Sequence, residues 1–168
     1  MKPENRIYKS HAFHPTIHWE ESYSTCYPDL EYYAKSALLL VQNFKLLKKK
    51  SIPNNDEGLE NLFFQAFYRI LRTFIFAKLN YLPHYLSAQS LWELCLYAEP
   101  KLEKLEYLME EIKGNKFFQC FEKHSHFHHD LTKLSKNDQK RMKELLENLQ
   151  ESLEISVKNA LGKELNHS

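Results

Sequence analysis

Residues 58–80 have the sequence GLENLFFQAFYRILRTFIFAKLN. Apolar side chains recur in this stretch at three- and four-residue spacing, which is the periodicity of an α-helix. They cover more than half of the circumference of such a helix, so it needs apolar neighbours on several sides. We therefore predict that residues 58–80 form the central, most buried helix of the protein.

Two further helices are predicted on either side of this stretch. Pro28-Asp29 opens a segment whose apolar residues follow helical spacing as far as Lys48. After the break at Tyr81-Leu-Pro-His84, a shorter helix is predicted over about residues 90–98. Both have an apolar stripe that can pack against the central helix.

The C-terminal half predicts two more helices. One carries apolar residues from Leu102 to Ile112 and ends near Gly114. The last helix begins at Ser135, which has an acidic residue three positions later, as in a capping box. It ends at Gly162, since glycine is the residue that most often follows the last turn of a helix.

Composition favours an all-α class. Leucine occurs 26 times, whereas valine occurs only at Val41 and Val157, too few β-branched residues for a β-rich domain. We predict an antiparallel four-helix up-and-down bundle with an additional short helix and an irregular N-terminal arm. The arm comprises residues 1–28, the bundle residues 29–162 and a short tail residues 163–168.

Several function classes are excluded or disfavoured by simple counts. The 3 glycines are isolated, which excludes the Walker-A and Rossmann phosphate loops. The 3 cysteines form no CxxC pair, so neither a disulfide scaffold nor a thiolate zinc site is expected. The formal net charge of +1 gives no global field for nucleic acid, and no apolar run approaches a membrane span. We expect a cytoplasmic protein with no membrane contact and no cofactor.

The central stretch also resembles a known family. The segment FQAFYRILR, residues 64–72, is similar to the Gln-Ala-x5-Lys/Arg helix of HEPN domains. Gln65, Ala66 and Arg72 fall on the marked positions of that helix, while Tyr68 stands where the family usually has Glu.

Two other segments extend the resemblance. Residues 81–102 are similar to the family's Tyr-x-Pro, short loop and His-x-Leu-x-x-Leu helix, with Gln89 at the position of that His. Residues 117–139 resemble the stretch that leads into the last HEPN helix. The resemblance covers about residues 29–161.

HEPN domains are small all-α bundles found beside nucleotidyltransferases, and the resemblance implies a homodimer. Some members are metal-independent ribonucleases, often toxins held in check by a nucleotidyltransferase partner. Their Arg-x4–6-His motif combines a histidine that exchanges protons with an arginine that holds the phosphate. Other members lack the motif and bind nucleotide or nucleic acid, or support an enzyme, without cleavage.

The ribonuclease motif is absent from its expected place in this chain. Arg141 is the one arginine of the C-terminal half, and no histidine follows it at the required spacing. We therefore expect a non-catalytic protein that binds nucleotide or nucleic acid, or supports a nucleotidyltransferase-type partner. A toxin–antitoxin or defence context fits this interpretation.

Two alternatives stay open at this point. A ribonuclease with displaced catalytic residues would use Arg6 and His11, or a cluster that includes His124, His126 and His128. A purely structural scaffold would use its aromatic surface only for association with other proteins.

The histidines form two clusters that could in principle meet a metal. His14 and His18, and His124 and His128, have the four-residue spacing of ligands on one helical face. Neither cluster contains HExxH or a cysteine ligand, and Pro15 disfavours helix at His14. We expect no metal site, and interpret the clusters as solvated groups that become charged below about pH 6.5.

The candidate ligand-binding residues lie on and after the central helix. Gln65, Arg69 and Arg72 lie within two helical turns, and polar groups on so apolar a helix need partners or solvent. One hypothesis is a groove beside them that contacts an anion or a nucleotide, with His84 nearby. The other is an internal hydrogen-bond network.

Overall fold

The fold was analysed in a computed structural model of the chain. It describes residues 19–50, 56–83, 86–113, 135–163 and 165, with side chains from residue 29 onward except those of residues 57, 112 and 113.

The described residues are helical and contain no strand, which confirms the all-α class for this part of the chain. In chain order the elements are α1 (Trp19–Lys49), α2 (Asp56–Leu79), α3 (Ala88–Ala98), a 3-10 helix (Pro100–Leu105), α4 (Glu106–Lys113) and α5 (Lys136–Leu161).

Helix α2 is the centre of the described structure, as its apolar periodicity predicts. It packs against α1, α3 and α5, and it contributes more buried apolar side chains than any other described helix. These are Leu59, Phe63, Phe64, Ala66, Phe67, Ile70, Leu71, Phe74, Ile75 and Phe76. The burial of so many aromatic rings against three helices is the main stabilising contribution of this region.

Helices α1 and α2 run antiparallel. The ring centroids of Phe44 and Phe63 lie 6.2 Å apart, and those of Tyr33 and Phe76 also lie 6.2 Å apart. Residues near the start of α1 therefore lie beside residues near the end of α2. This register decides which residues of α1 face each part of α2.

Helix α5 also runs antiparallel to α1. Lys45 forms an ion pair with Glu147 at 3.1 Å, and Lys163, just after α5, pairs with Glu31 at 3.3 Å. The amine of Lys163 lowers the pKa of the Glu31 carboxyl, together with that of Lys35. Because α2 and α5 are both antiparallel to α1, they run in the same direction.

The start of α1 differs from the prediction. The irregular arm predicted for residues 1–28 is wrong for residues 19–28, where the backbone is already helical, and residues 1–18 lie outside the described part. Pro28 lies inside α1 and has no N–H for the carbonyl of Ser24. The sequence favours Pro28 as a helix start, the preferred position of proline, but here the helix begins nine residues earlier.

The region from Leu102 to Ile112 is also divided differently. A single helix was predicted, but the chain forms a 3-10 helix up to Leu105 and then α4. Pro100 lies in the first turn of the 3-10 helix, and the Glu99 side chain accepts a hydrogen bond from the backbone N–H of Lys101. Both elements still bury their leucines, which are Leu102, Leu105 and Leu108. The apolar side chains therefore reach the core although the first turns are 3-10 turns, which are tighter than those of an α-helix.

The ends of α5 agree with the sequence. The hydroxyl of Ser135 accepts a hydrogen bond from the N–H of Asp138 at 3.0 Å, and the carboxylate of Asp138 accepts one from the N–H of Ser135 at 3.1 Å. Gly162 closes the helix with a φ of 69°, a left-handed conformation that glycine adopts without steric cost.

Candidate anion-binding groove

A groove of about 510 Å³ lies between α1 and α2. Its lining residues are Ser36 and Leu40 from α1, and Asn61, Phe64, Gln65, Tyr68, Arg69 and Arg72 from α2. The volume is within the range of small-molecule sites, about 300–1,000 Å³.

Helical spacing explains how α2 contributes to the groove. Asn61, Gln65, Tyr68 and Arg72 follow one another at steps of four, three and four residues, so they lie on one face of the helix. This face lies beside the apolar face that packs into the core. Gln65 is exposed, whereas the other three are half-buried.

The antiparallel register places two residues of α1 against this face. Ser36 lies one turn from Tyr33, and Leu40 lies one turn from Phe44. Tyr33 packs near the C-terminal half of α2 and Phe44 near its N-terminal half. The same register places Ser36 level with Arg72, at the arginine end of the groove, and Leu40 level with Tyr68, in its middle.

Arg69 is held by contacts on two sides. Its guanidinium carbon lies 5.0 Å from the centroid of the Tyr33 ring, a cation–π contact across the helix pair. Its backbone carbonyl accepts a hydrogen bond at 2.6 Å from the hydroxyl of Thr73, which is fully buried. The arginine is thus oriented by α1 while its charge stays half-exposed at the groove.

The base of the groove is apolar. Phe64 is only 1% exposed, and its ring packs edge-on against Phe63 at 5.2 Å. Leu40 adds a half-buried aliphatic wall from α1. A ligand that enters this part of the groove meets hydrocarbon beneath it and polar groups at the rim.

All the charged side chains in the described lining of the groove are positive. Among the described residues that line the groove there are two guanidinium groups and no carboxylate. Tyr68 and Arg72 also take part in interactions within the protein. Two adjacent arginines in a partly desolvated groove attract anions, and their planar forks match phosphate or carboxylate oxygens.

The structure brings three of the candidate ligand-binding residues together: Gln65, Arg69 and Arg72 line the same groove. The other candidates lie outside the described residues, namely His84, Arg6, His11, His124, His126 and His128. The hypotheses that depend on them stay predictions.

Sequence reasoning did not identify Asn61, Ser36, Leu40 and Tyr33 as parts of this region. The face shared by Asn61 and Gln65 could have been found, because they are four residues apart on a predicted helix. The residues of α1 could not, since their position depends on the register of two helices.

The described part of the chain supports neither a metal site nor a reactive cysteine. Within it, no group of three or more His, Cys, Asp or Glu side chains is placed to hold a metal ion. Cys95 is buried, and its thiol lies 3.5 Å from the carbonyl oxygen of Leu71. Burial raises the pKa of the Cys95 thiol, which makes it a poor nucleophile.

Comparison with known proteins gives no match: no family model, no curated protein and no solved structure matches this chain. Among the described helices, none combines the length and the apolar character needed to cross a membrane.

Proposed function

We propose that this protein is a non-catalytic, HEPN-like helical domain that binds nucleotide or nucleic acid in the groove between α1 and α2. The observation that carries the proposal is the joint lining of this groove by Arg69, Arg72 and two side-chain amides over an apolar base. Guanidinium groups suit phosphate, and amides offer both donors and acceptors to a base or a ribose.

The resemblance to HEPN domains supports the same assignment from the sequence. Gln65 and Arg72, which fall on marked positions of the HEPN helix, both line the groove. Tyr68 departs from the family's Glu at a third lining position. With Tyr68 in place of that Glu, the described lining of the groove has no carboxylate to repel phosphate.

An antiparallel four-helix up-and-down bundle is part of the proposal. The antiparallel pairs α1–α2 and α1–α5 support it. A third antiparallel pair is formed by α4 and α5, since Tyr107 bonds Glu144 at 3.0 Å and Arg141 pairs with Glu111 at 2.7 Å.

The partners are proposed on the resemblance alone. They are a second copy of the chain and a nucleotidyltransferase-type protein, in the cytoplasm and in a toxin–antitoxin or defence context. Light scattering after size-exclusion chromatography tests the homodimer, which requires a mass of two chains instead of 20.2 kDa. A single-chain mass at high concentration contradicts it.

Equilibrium binding of ATP and of a short single-stranded oligouridylate tests the ligand-binding proposal. Arg72→Gln should weaken the binding of whichever probe the wild type takes by about ten- to hundredfold, the range expected for a hydrogen bond to a charged group. Arg141→Gln is the matched control, because it removes the same charge on α5 outside the groove. Unchanged affinity in Arg72→Gln, or no binding of either probe by the wild type, contradicts the proposal.

Incubation of single-stranded RNA with the protein in metal-free buffer tests the non-catalytic part. We expect intact RNA. Degradation that disappears in His11→Ala or His128→Ala would favour the ribonuclease alternative instead.

A further inference from the structure

We infer that the groove takes one nucleoside phosphate in a fixed orientation, with its phosphates at the Arg69–Arg72 end and its base at the Asn61–Gln65 end. This inference rests on the proposed function and specifies the ligand class and its direction in the same site.

The two ends of the groove differ in chemistry. Asn61 and Arg72 are separated along α2 by about 16 Å at the helical rise of about 1.5 Å per residue. Both arginines and the hydroxyl of Ser36 lie toward one end, where Tyr33 stacks on Arg69. In the described lining, positive charge therefore lies at one end of the groove.

The opposite end has the properties of a base site. The Asn61 and Gln65 amides lie one turn apart on the same face, and each offers two N–H donors and a carbonyl acceptor. The buried ring of Phe64 lies beneath this end of the groove, and the half-buried Leu40 lies further along, level with Tyr68. Amides at the rim of the groove can bond the polar edge of a planar heterocycle.

A single nucleotide fits these observations better than a nucleic-acid strand. Strand binding depends on many phosphate contacts along a cationic track, and on several aromatic faces for successive bases. Among the described residues only two cationic side chains line this groove, and Phe64, at 1% exposed, offers no open ring face for successive bases. The groove volume of about 510 Å³ is also that of a small-molecule site.

Calorimetric titration with matched probes tests the orientation. ATP, GTP, CTP and UTP each carry a base and phosphates, whereas tripolyphosphate carries only the phosphates. Asn61→Leu should weaken the tightest-binding nucleotide roughly three- to tenfold, since it removes neutral hydrogen bonds, and should leave tripolyphosphate affinity within about twofold. Arg72→Gln should weaken nucleotide and tripolyphosphate by similar factors.

Two further variants serve as a second probe of the base end of the groove and as a control. Gln65→Leu probes the same end at an exposed position, where the fold does not depend on the side chain. Asn148→Leu is the matched control, because Asn148 lies on α5, where its amide donates to the backbone carbonyl of Glu144 at 2.8 Å. Asn148→Leu should change neither affinity.

The outcomes separate this inference from the proposed function. Suppose that Arg72→Gln weakens binding but Asn61→Leu and Gln65→Leu leave nucleotide affinity unchanged, or reduce tripolyphosphate affinity by the same factor. The inferred orientation is then wrong, while the proposed binding site is retained. Tighter binding of oligouridylate than of any nucleotide also overturns the inference. If Arg72→Gln changes no affinity, the proposed function itself fails.

Discussion

The two faces of α2 belong to one helix but do different things. On the core face, Phe63, Phe67 and Ile70 are fully buried, and the Phe63 and Phe67 rings stack at 5.7 Å. On the groove face, Gln65 is exposed and Arg72 is half-buried. The core face therefore contributes the burial that stabilises the fold, whereas the groove face leaves polar groups accessible.

On an otherwise apolar helix, the face with accessible polar side chains is the place to look for a binding site. Polar side chains beside a fully packed face add little to the free energy of folding, and half-burial costs them part of their hydration. Under the proposal, a ligand binds to the groove face, whereas the core face serves the fold. Substitutions on each face test this division.

The largest effect is expected on the core face. Phe67→Ala removes a fully buried ring and should lower the free energy of unfolding by about 3–5 kcal/mol. Gln65→Ala, two positions away on the groove face, should change it by no more than about 0.5 kcal/mol. Urea denaturation followed by circular dichroism measures both values. Equal losses would remove the distinction between the two faces.

The next effect concerns charge in the groove. Tyr68→Glu places a carboxylate beside both arginines. It should weaken ATP binding at least tenfold, because the carboxylate neutralises the charge of the arginines and repels the phosphates of ATP. The free energy of unfolding should change by about 1 kcal/mol or less. Tyr68→Phe serves as the control and should bind ATP like the wild type. The same affinity in Tyr68→Glu would show that phosphate does not occupy this groove.

A smaller effect is expected from Tyr33, which orients Arg69 from outside the groove lining. Tyr33→Leu removes the ring and should weaken ATP binding about two- to fivefold, since an exposed cation–π contact contributes about 0.5–1 kcal/mol. Tyr33→Phe keeps a ring of the same shape and should restore most of the affinity. Failure of Phe to restore it would mean that Tyr33 does not act by holding Arg69.

The smallest effect lies away from both faces, at the ion pair of Lys78 and Glu99. The ammonium of Lys78, at 2.9 Å, lowers the pKa of the Glu99 carboxyl. A lowered pKa in the folded state stabilises the protein above the pKa of the unfolded state, and this contribution is lost as the pH falls through the folded value. Lys78→Gln should therefore reduce stability by up to about 1 kcal/mol at pH 7, where both groups are charged. In strong acid, where Glu99 is protonated, the loss should be smaller, because only the contact of Lys78 with the Phe74 ring at 5.9 Å is then removed, as urea titrations at both pH values would show. A loss of stability of the same size at both pH values would show that the ion pair does not contribute.

The sequence predicts the core better than the site. The spacing of Phe63, Phe67, Ile70 and Phe74 defines one buried face, and local signals at Ser135 define the start of α5. These features depend only on neighbours within the same helix.

The parts that sequence did not predict depend on packing between helices. Leu40 and Ser36 reach the groove only through the antiparallel register of α1 and α2, and Tyr33 meets Arg69 for the same reason. The helical conformation before Pro28 was missed because local preference places proline at helix starts.

The most direct test of the central claim is a titration of isotopically labelled protein with ATP, followed by two-dimensional NMR. We predict that chemical-shift changes concentrate on α1 and α2 around Ser36, Gln65 and the Arg69 and Arg72 guanidinium signals, while signals of the α4–α5 pair around Arg141 stay in place. Changes centred on α4 and α5, or no changes at saturating ATP, would contradict the account.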